Sequence, residues 1–166
     1  KYENFPFHRK ILEDPIKQIN SMSEEKFLIY NLLNGLILAM KDYIEKNSIK
    51  KLFLGLSGGI DSAVVLFIAS KVINREKITA IMMPSEFTSD VSLKDAKKLA
   101  SNLGVNYKSI SIQKHIKNFE VTFKKDFEGL EKDITEQNIQ ARIRGMILMA
   151  YANKFNGMVL LYVIFH

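Results

Sequence analysis

A polar, glycine-rich turn at residues 57–62, with the sequence SGGIDS, could bind the phosphates of a nucleotide. Its two glycines have no Cβ atoms, so backbone N–H groups can close on an anion. A helix that follows such a turn adds unsatisfied N–H groups and its positive end. Ser57 and Ser62 add hydroxyl groups, whereas the carboxylate of Asp61 would repel a bare phosphate. Mg²⁺ between the carboxylate and a polyphosphate removes this repulsion. The turn therefore predicts a polyphosphate site with Mg²⁺, and a plain capped strand-to-helix turn is the alternative.

The turn matches neither of the two commonest phosphate-binding motifs. A P-loop needs the pattern G-x-x-x-x-G-K-[ST], and no lysine follows these glycines. A dinucleotide-binding fingerprint needs G-x-G-x-x-G, whereas residues 55–62 read GLSGGIDS. If this turn binds phosphate, its motif is therefore neither a P-loop nor a dinucleotide-binding fingerprint.

The elements that must position this turn alternate between strands and helices. The predicted strands are residues 52–56, 78–83, 107–112 and 158–164, and the predicted helices are residues 24–46, 63–73, 92–103, 113–128 and 135–155. This order predicts an α/β fold with a doubly wound, parallel, Rossmann-like sheet of four strands and right-handed crossovers. Ligands of such sheets lie beyond the carboxyl ends of the strands. We therefore expect residues 57–62, residues 84–91 and the residues after the fourth strand to lie near one another.

Capping residues predict where several helices begin and end. Ser21 with Glu24 has the spacing of an N-terminal capping box, and Ser92 with Asp95 is expected to start the helix after the second strand. Gly104 is well placed to end that helix, since glycine readily adopts the left-handed conformation of a C-terminal cap.

Length and charge indicate one domain that works with small anionic molecules. The 166 residues suffice for one domain with a hydrophobic core. Residues 1–20 lack a sustained period and predict a linker, and residues 21–166 predict the domain. Because the chain starts at Lys1, we expect a piece of a longer protein. The net charge of +6 comes from scattered lysines without interleaved aromatic residues, so we expect no nucleic-acid partner.

Composition also bears on location. No run approaches the roughly 20 apolar residues of a membrane span, and the first residues lack the plan of a secretion signal. The chain contains no cysteine, which excludes disulfides and thiolate chemistry within it and fits a reducing cytoplasm. We therefore expect a cytoplasmic protein without a membrane partner.

Four sequence patterns carry a resemblance to known enzymes. The S-G-G-x-D-S turn after an apolar strand resembles the pyrophosphate-binding loop of the N-type ATP pyrophosphatases. Residues 83–85 (MPS), the pattern Ser92-x-x-Asp95-Ala96 and residues 137–144 (QNIQARIR) are similar to blocks of the NAD⁺ synthetases, in the same order and spacing. The MPS block and the preceding arm are nearer to the glutamine-dependent enzymes, which carry an amidase domain ahead of this one.

The resemblance implies an adenine nucleotide alpha hydrolase-like fold and an activity. That activity is the ATP-dependent amidation of deamido-NAD⁺ to NAD⁺, with ammonia from glutamine and with AMP and pyrophosphate as products. It implies that Asp61 holds Mg²⁺ on the leaving pyrophosphate, and that Asn138 and Arg142 bind deamido-NAD⁺ from one helix face. The residues implied to bind ATP are Gly55, Leu56, Ser57, Gly58, Gly59, Ile60, Asp61, Ser62 and Met83.

Structural roles compete with several of these assignments. Met82 and Met83 could line an adenine pocket or simply fill the core. Arg142 could form an ion pair on the helix surface, and Arg144 could form a structural salt bridge. The sequence leaves these alternatives open.

The chain departs from the family pattern after residue 160. The family continues with a T-G-N-K-S-E-like loop, which supplies a threonine for ATP and a glutamate for a second Mg²⁺, whereas residues 161–166 read LYVIFH. We therefore expect a truncated piece with little or no turnover alone. Two alternatives remain: another ATP-pyrophosphatase ligase or amidotransferase, similar to GMP or asparagine synthetases, and a non-catalytic nucleotide-binding fragment. The resemblance also implies a homo-oligomer, dimeric or larger.

Overall fold

The computed structural model describes residues 23–161, which form five α-helices and four β-strands. In chain order these are α1 (Glu24–Lys46), β1 (Leu52–Leu56), α2 (Ile60–Val72), a 3₁₀ turn (Arg75–Lys77), β2 (Ile78–Met82), α3 (Asp90–Leu103), β3 (Asn106–Ser109), α4 (Gln113–Phe123), α5 (Ile134–Lys154) and β4 (Met158–Leu160). This succession confirms the predicted order of elements. The predicted linker, residues 1–20, lies outside the described residues.

The four strands form one parallel sheet in the order β3-β2-β1-β4. Gly55 of β1 lies beside Ile81 of β2, and Leu52 of β1 lies beside Met158 of β4. The chain adds β2 and β3 on one side of β1 and then returns to place β4 on the other side. The predicted doubly wound parallel sheet is thus confirmed. Its topological switch point lies between β1 and β4, which is where such sheets bind ligands.

Alternate residues of β1 face two hydrophobic layers, as the two-residue period of a buried strand requires. Leu52, Leu54 and Leu56 pack with residues of α1, α2 and α3 on one face of the sheet. Phe53 packs on the other face with residues of α4 and α5, including Ile143. The sheet is therefore covered on both faces, and the strand that leads into the glycine-rich turn is held rigidly.

Two helix caps differ from the prediction. α1 is capped by Ser23, whose hydroxyl accepts a hydrogen bond from the backbone N–H of Lys26, instead of by Ser21, which lies outside the described residues. α3 begins at Asp90 rather than Ser92, because the Ser89 hydroxyl accepts from the Ser92 N–H at 3.2 Å. Nearby serines offer equivalent spacings, and the one with an extended backbone becomes the cap. Gly104, with φ of +66°, ends α3 as predicted.

The predicted strands over residues 78–83 and 107–112 are both too long because a proline follows β2. The Ile112 N–H donates to the Pro84 carbonyl at 3.0 Å, but Pro84 has no N–H to give in return. Regular pairing therefore ends with β2 and β3 at Met82 and Ser109.

The predicted helix over residues 113–128 is also too long. α4 ends at Phe123, and the Lys124 N–H then bonds to the Val121 carbonyl, three residues back. The chain turns through Gly129, which has φ of +81°.

α5 begins at Ile134, one residue before its predicted start, and ends at Lys154. Asp133 caps it: the carboxylate accepts from the Thr135 N–H, and Glu136 accepts from the Asp133 N–H in return. β4 covers Met158–Leu160 of the predicted residues 158–164, and residues 162–164 lie outside the described part of the chain.

α1 differs from the prediction in another respect. By length and composition alone it is apolar enough to cross a membrane, whereas the sequence suggested no such segment. Core helices and signal sequences meet the same criteria. Its uncharged stretch, residues 27–40, extends about 20 Å, which is less than the roughly 30 Å of a bilayer core.

Candidate functional site

The glycine-rich turn after β1 is held by hydrogen bonds between its own serines. The Ser62 hydroxyl, which is fully buried, donates to the Gly59 carbonyl at 3.0 Å and lies 3.1 Å from the Ser57 hydroxyl oxygen. The Ser57 N–H donates to Ser62 Oγ, and Ser57 Oγ accepts from the Gly59 N–H. Ser62 therefore stabilises the turn from inside, whereas Ser57 is exposed to a ligand.

The helix after the turn begins earlier than predicted, at Ile60 instead of residue 63. Asp61 and Ser62 thus lie in the first turn of α2, and Asp61 is exposed. The N-cap of α2 is Gly59, which has no side chain to accept a hydrogen bond. The first backbone N–H groups of α2 and its positive end therefore remain open to an anion at the carboxyl edge of the sheet.

A second helix N-terminus meets this turn. Gly58 has φ of +82°, and a Cβ atom placed on it would lie 2.7 Å from the carbonyl oxygen of Ser92. Ser92 belongs to the first turn of α3, which Ser89 caps. The absence of a side chain at Gly58 thus lets the turn before α2 approach the start of α3. Residues 57–62 were expected to lie near residues 84–91, and the turn contacts Ser92, the residue that directly follows that segment.

A groove of about 370 Å³ opens beside the turn, between α2 and α3. Gly58, Gly59 and Ile60 line it from the turn and the start of α2, and Asp95 and Leu99 line it from α3. The sequence suggested Asp95 as part of a helix start and of a block that resembles the NAD⁺ synthetases, but gave it no role in the site. Its position beside the glycines was not predicted, because the pairing of α2 with α3 depends on the strand order.

The site has two exposed carboxylates: Asp61 in the first turn of α2, and Asp95, which lines the groove. Within residues 23–161, no three His, Asp or Glu side chains are near enough to hold a metal ion together. Mg²⁺ at nucleotide sites is usually held by one or two carboxylates and by phosphate oxygens. The exposed Asp61, beside open backbone N–H groups, fits a Mg²⁺ ion that arrives with a polyphosphate.

Met82 and Met83, at the end of β2, are both buried, as expected if they fill the core. Met82 belongs to the hydrophobic layer on one face of the sheet, and Met83 belongs to the layer on the other face. A Cβ atom on Gly55 would lie 3.2 Å from Cε of Met83, so the Met83 side chain packs over Gly55. The Met83 carbonyl accepts a hydrogen bond from Nε of Arg144 at 3.3 Å, which joins α5 to the end of β2.

The predicted substrate residues of α5 lie apart from the groove. Arg144 contacts the carboxyl end of β2, so Asn138 and Arg142, which precede it, lie toward or beyond that edge of the sheet. Both side chains are exposed, and they share the outward face of α5 with Met149. The structure thus places them at the same edge as the turn but on a helix that covers the opposite face of the sheet.

Comparison with known proteins identifies a family. Residues 32–161 match the family model described as NAD synthase. The chain is 44% identical over 129 residues to the glutamine-dependent NAD⁺ synthetase of Thermotoga maritima, an alignment that covers 78% of this chain and 22% of the relative. The chain therefore spans less than a quarter of that relative's length.

Solved structures agree with this comparison. The glutamine-dependent NAD⁺ synthetase of Acinetobacter baumannii, solved in complex with ADP, superimposes with a TM-score of 0.75 and 41% identity over 76% of this chain and 24% of that one. The NMN synthetase of Francisella tularensis superimposes with a TM-score of 0.70 and 30% identity, over 78% of this chain and 52% of that one.

Proposed function

Because the chain belongs to the NAD synthase family, we propose that it forms part of a ligase that amidates deamido-NAD⁺ at the expense of ATP. The nicotinate carboxylate attacks the α-phosphorus of ATP, and pyrophosphate leaves with the electrons of the broken P–O bond. Ammonia, supplied from glutamine, then attacks the acyl carbon of the mixed anhydride; AMP leaves, and the new amide loses a proton. Neither exchange needs a protein nucleophile, so the protein positions the reactants and neutralises charge.

The observation that carries this proposal is the meeting of two helix starts at a turn that leaves no room for a side chain. Gly58 packs on the backbone of Ser92, and Gly59 leaves the start of α2 without a side-chain cap. The start of α2 contributes its positive end and its uncapped N–H groups at this position. In this proposal residues 55–62 bind the phosphates of ATP through backbone N–H groups and the Ser57 hydroxyl, and Ser62 keeps the turn in shape.

Asp61 is proposed to hold the Mg²⁺ that accompanies ATP. Its exposed carboxylate in the first turn of α2 supports this role, and the ion would offset negative charge on the departing pyrophosphate.

Met83 is proposed to border the adenine ring at the end of β2. Its buried side chain limits such a contact to the small part that remains exposed or to its backbone, so packing is its main role in the free chain.

Asn138 and Arg142 are proposed to bind the second substrate. Their exposure supports this role, because a guanidinium fork that faces solvent can bind two oxygens of a pyrophosphate.

Titration calorimetry with ATP and Mg²⁺ tests the nucleotide site of this chain. We expect Asp61→Asn to weaken Mg²⁺-dependent ATP binding by about tenfold or more. Asp126→Asn, which changes an exposed carboxylate in the turn after α4, is the matched control and should leave binding unchanged. If the wild type and Asp61→Asn bind Mg²⁺ and ATP equally well, Asp61 does not hold the metal.

Turnover tests the reaction itself. Pyrophosphate and NAD⁺ formation should be measured with ATP, Mg²⁺ and deamido-NAD⁺, with ammonium or glutamine as nitrogen source. The measurement should compare this chain with a longer protein that also contains the parts of the relatives that this chain does not cover. The acid form of NMN is the competing substrate, since a relative is named an NMN synthetase. Turnover with another carboxylate, but not with deamido-NAD⁺, would contradict the proposal.

A further inference from the structure

The Arg144 side chain reaches from α5 to the carboxyl end of β2. Its Nε–H donates to the backbone carbonyl of Met83 at 3.3 Å, in a partly buried position. A guanidinium that gives up part of its hydration needs acceptors that replace the lost water. The sequence suggested a structural salt bridge for Arg144, whereas this acceptor is a backbone group at the sheet edge where ligands bind. The contact therefore places Arg144 within the candidate site, where the proposed reaction gives it no role.

The Met83 carbonyl points toward β1. Backbone carbonyls of successive residues in a strand point to opposite sides, toward one neighbouring strand and then the other. On the β3 side, the Met82 carbonyl accepts from the Ile110 N–H, and the Pro84 carbonyl accepts from the Ile112 N–H. Met83 lies between these two residues in the chain, so its carbonyl faces the opposite side of β2.

β1 ends before it can supply a donor to this carbonyl. The last pair between the two strands is Leu56 with Met82, and the chain then leaves the sheet as the glycine-rich turn. If the ladder continued, the next N–H from β1 would come from Gly58, which instead packs on Ser92. A buried carbonyl without a donor destabilises a fold, and Arg144 supplies that donor from α5. Arg144 therefore allows the turn to leave the sheet and keep its N–H groups for a ligand.

The same hydrogen bond connects the strand end with the helix of the predicted substrate residues. Arg142 and Asn138 lie two and six residues before Arg144 in α5, which is about 3 and 9 Å along the helix axis. On the other side, the Met83 side chain packs over Gly55 of β1, two residues before the turn. Arg144 thus links α5 to the strands that hold the glycine-rich turn.

We propose that Arg144 is a positioning residue of the amidation reaction. It fixes the helix that carries Asn138 and Arg142 against the end of β2, and so aligns the second substrate with the nucleotide at residues 57–62. This inference rests on the proposed function for the identity of the two ligands. Reaction between two bound molecules depends on their alignment, and a displacement of about 1 Å can slow it about 100-fold. In this role Arg144 acts through Met83 and α5 rather than on the reacting atoms.

Two variants separate the hydrogen bond from the bulk of the side chain. Arg144→Met keeps an unbranched apolar stem and removes every N–H donor, whereas Arg144→Lys keeps a cationic donor. Arg75→Met is the matched control, because Arg75 is an exposed arginine in the 3₁₀ turn before β2, at the opposite edge of the sheet. Circular dichroism and urea unfolding check that each variant is folded.

Nuclear magnetic resonance of the free chain tests the contact without any ligand. The Nε–H of Arg144 should exchange with water about tenfold or more slowly than that of Arg75, because it is hydrogen-bonded and partly buried. Arg144→Met should shift the amide signals of Met83 and residues 57–59, and Arg144→Lys should restore them in part. Arg75→Met should leave these signals in place. Equal exchange at the two arginine side chains, or unchanged amide signals in Arg144→Met, overturns the proposal.

The kinetics of the longer protein test the role of Arg144 in the reaction. Arg144→Met should lower kcat for NAD⁺ formation about tenfold or more. It should change KM for ATP and for deamido-NAD⁺ by less than about threefold, because it disturbs alignment rather than binding. Arg144→Lys should recover part of kcat, and Arg75→Met should match the wild type. A raised KM for one substrate with unchanged kcat means that Arg144 binds that substrate directly, and this result overturns the proposal.

The two proposals fail in different ways. A longer wild-type protein that forms no NAD⁺ contradicts the proposed reaction and, with it, the role of Arg144 in that reaction. If the wild type and Arg144→Met turn over equally fast, only the role of Arg144 is contradicted. The same holds if Arg144→Lys is as slow as Arg144→Met, since the donor would then have no effect.

Discussion

Replacement of Gly58 by alanine is expected to lower the free energy of unfolding by about 2–5 kcal/mol. The φ of Gly58, +82°, lies in the left-handed region, where a residue with a side chain costs about 1–2 kcal/mol. The new Cβ atom would lie 2.7–2.8 Å from the carbonyl oxygen, Cα and Cβ of Ser92. These atoms cannot retreat unless α3 moves, and overpacking of this kind adds about 1–3 kcal/mol.

Gly129→Ala separates the two contributions to this cost. Gly129 has nearly the same φ, +81°, but nothing lies within 4 Å of its Cβ position. Its replacement should therefore cost only the conformational part, about 1–2 kcal/mol. Urea unfolding of the wild type and both variants at 25 °C measures the difference, provided that the m-values agree. If Gly58→Ala is no more destabilising than Gly129→Ala, the close contact between the turn and α3 is not present.

Three further changes test other contacts. Gly157→Ala should destabilise the chain by roughly 1–3 kcal/mol in urea unfolding, because its Cβ would lie 2.8 Å from the Lys51 carbonyl oxygen; an unchanged midpoint would contradict that packing. Ser62→Ala removes the buried hydroxyl that holds the turn and should cost about 1–3 kcal/mol by the same measurement. The Thr135 hydroxyl and backbone N–H hold the pKa of Asp133 below its ordinary 3.8. The wild type should thus melt at a higher temperature than Asp133→Ala above about pH 4, and this difference should shrink as the pH falls through the lowered pKa of Asp133. A difference in melting temperature that stays constant between pH 7 and pH 2 would contradict this.

The order of elements and the glycine-rich turn could be predicted because each depends on local pattern. β1 is a short apolar run, and the residues after it have types that suit a strand-to-helix turn. The ends of the helices were less predictable because several neighbouring residues could act as the cap. Ser89 and Ser92 both suit a helix start, and only the backbone conformation of Ser89 makes it the cap of α3.

The site was predicted in part. The expectation that the turn lies near residues 84–91 followed from the general behaviour of parallel sheets. The contact of Gly58 with Ser92, and the place of Asp95 in the groove, depend on which helices lie side by side and could not be read from spacing. The hydrogen bond from Arg144 to Met83 joins residues 61 positions apart in the chain, so no local pattern could reveal it.

The strand order has a consequence for how the chain folds. β1 and β2 pair across about 25 residues, whereas β1 and β4 pair across about 100. A fourfold longer loop costs about 1.2 kcal/mol more to close, and within residues 23–161 three residue pairs join β4 to β1. The unit from β1 to β3 can therefore assemble during synthesis before β4 exists, and β4 docks last. The edge of the sheet beside β1 stays open until then, so a chaperone or a second nascent chain would compete for it at that stage.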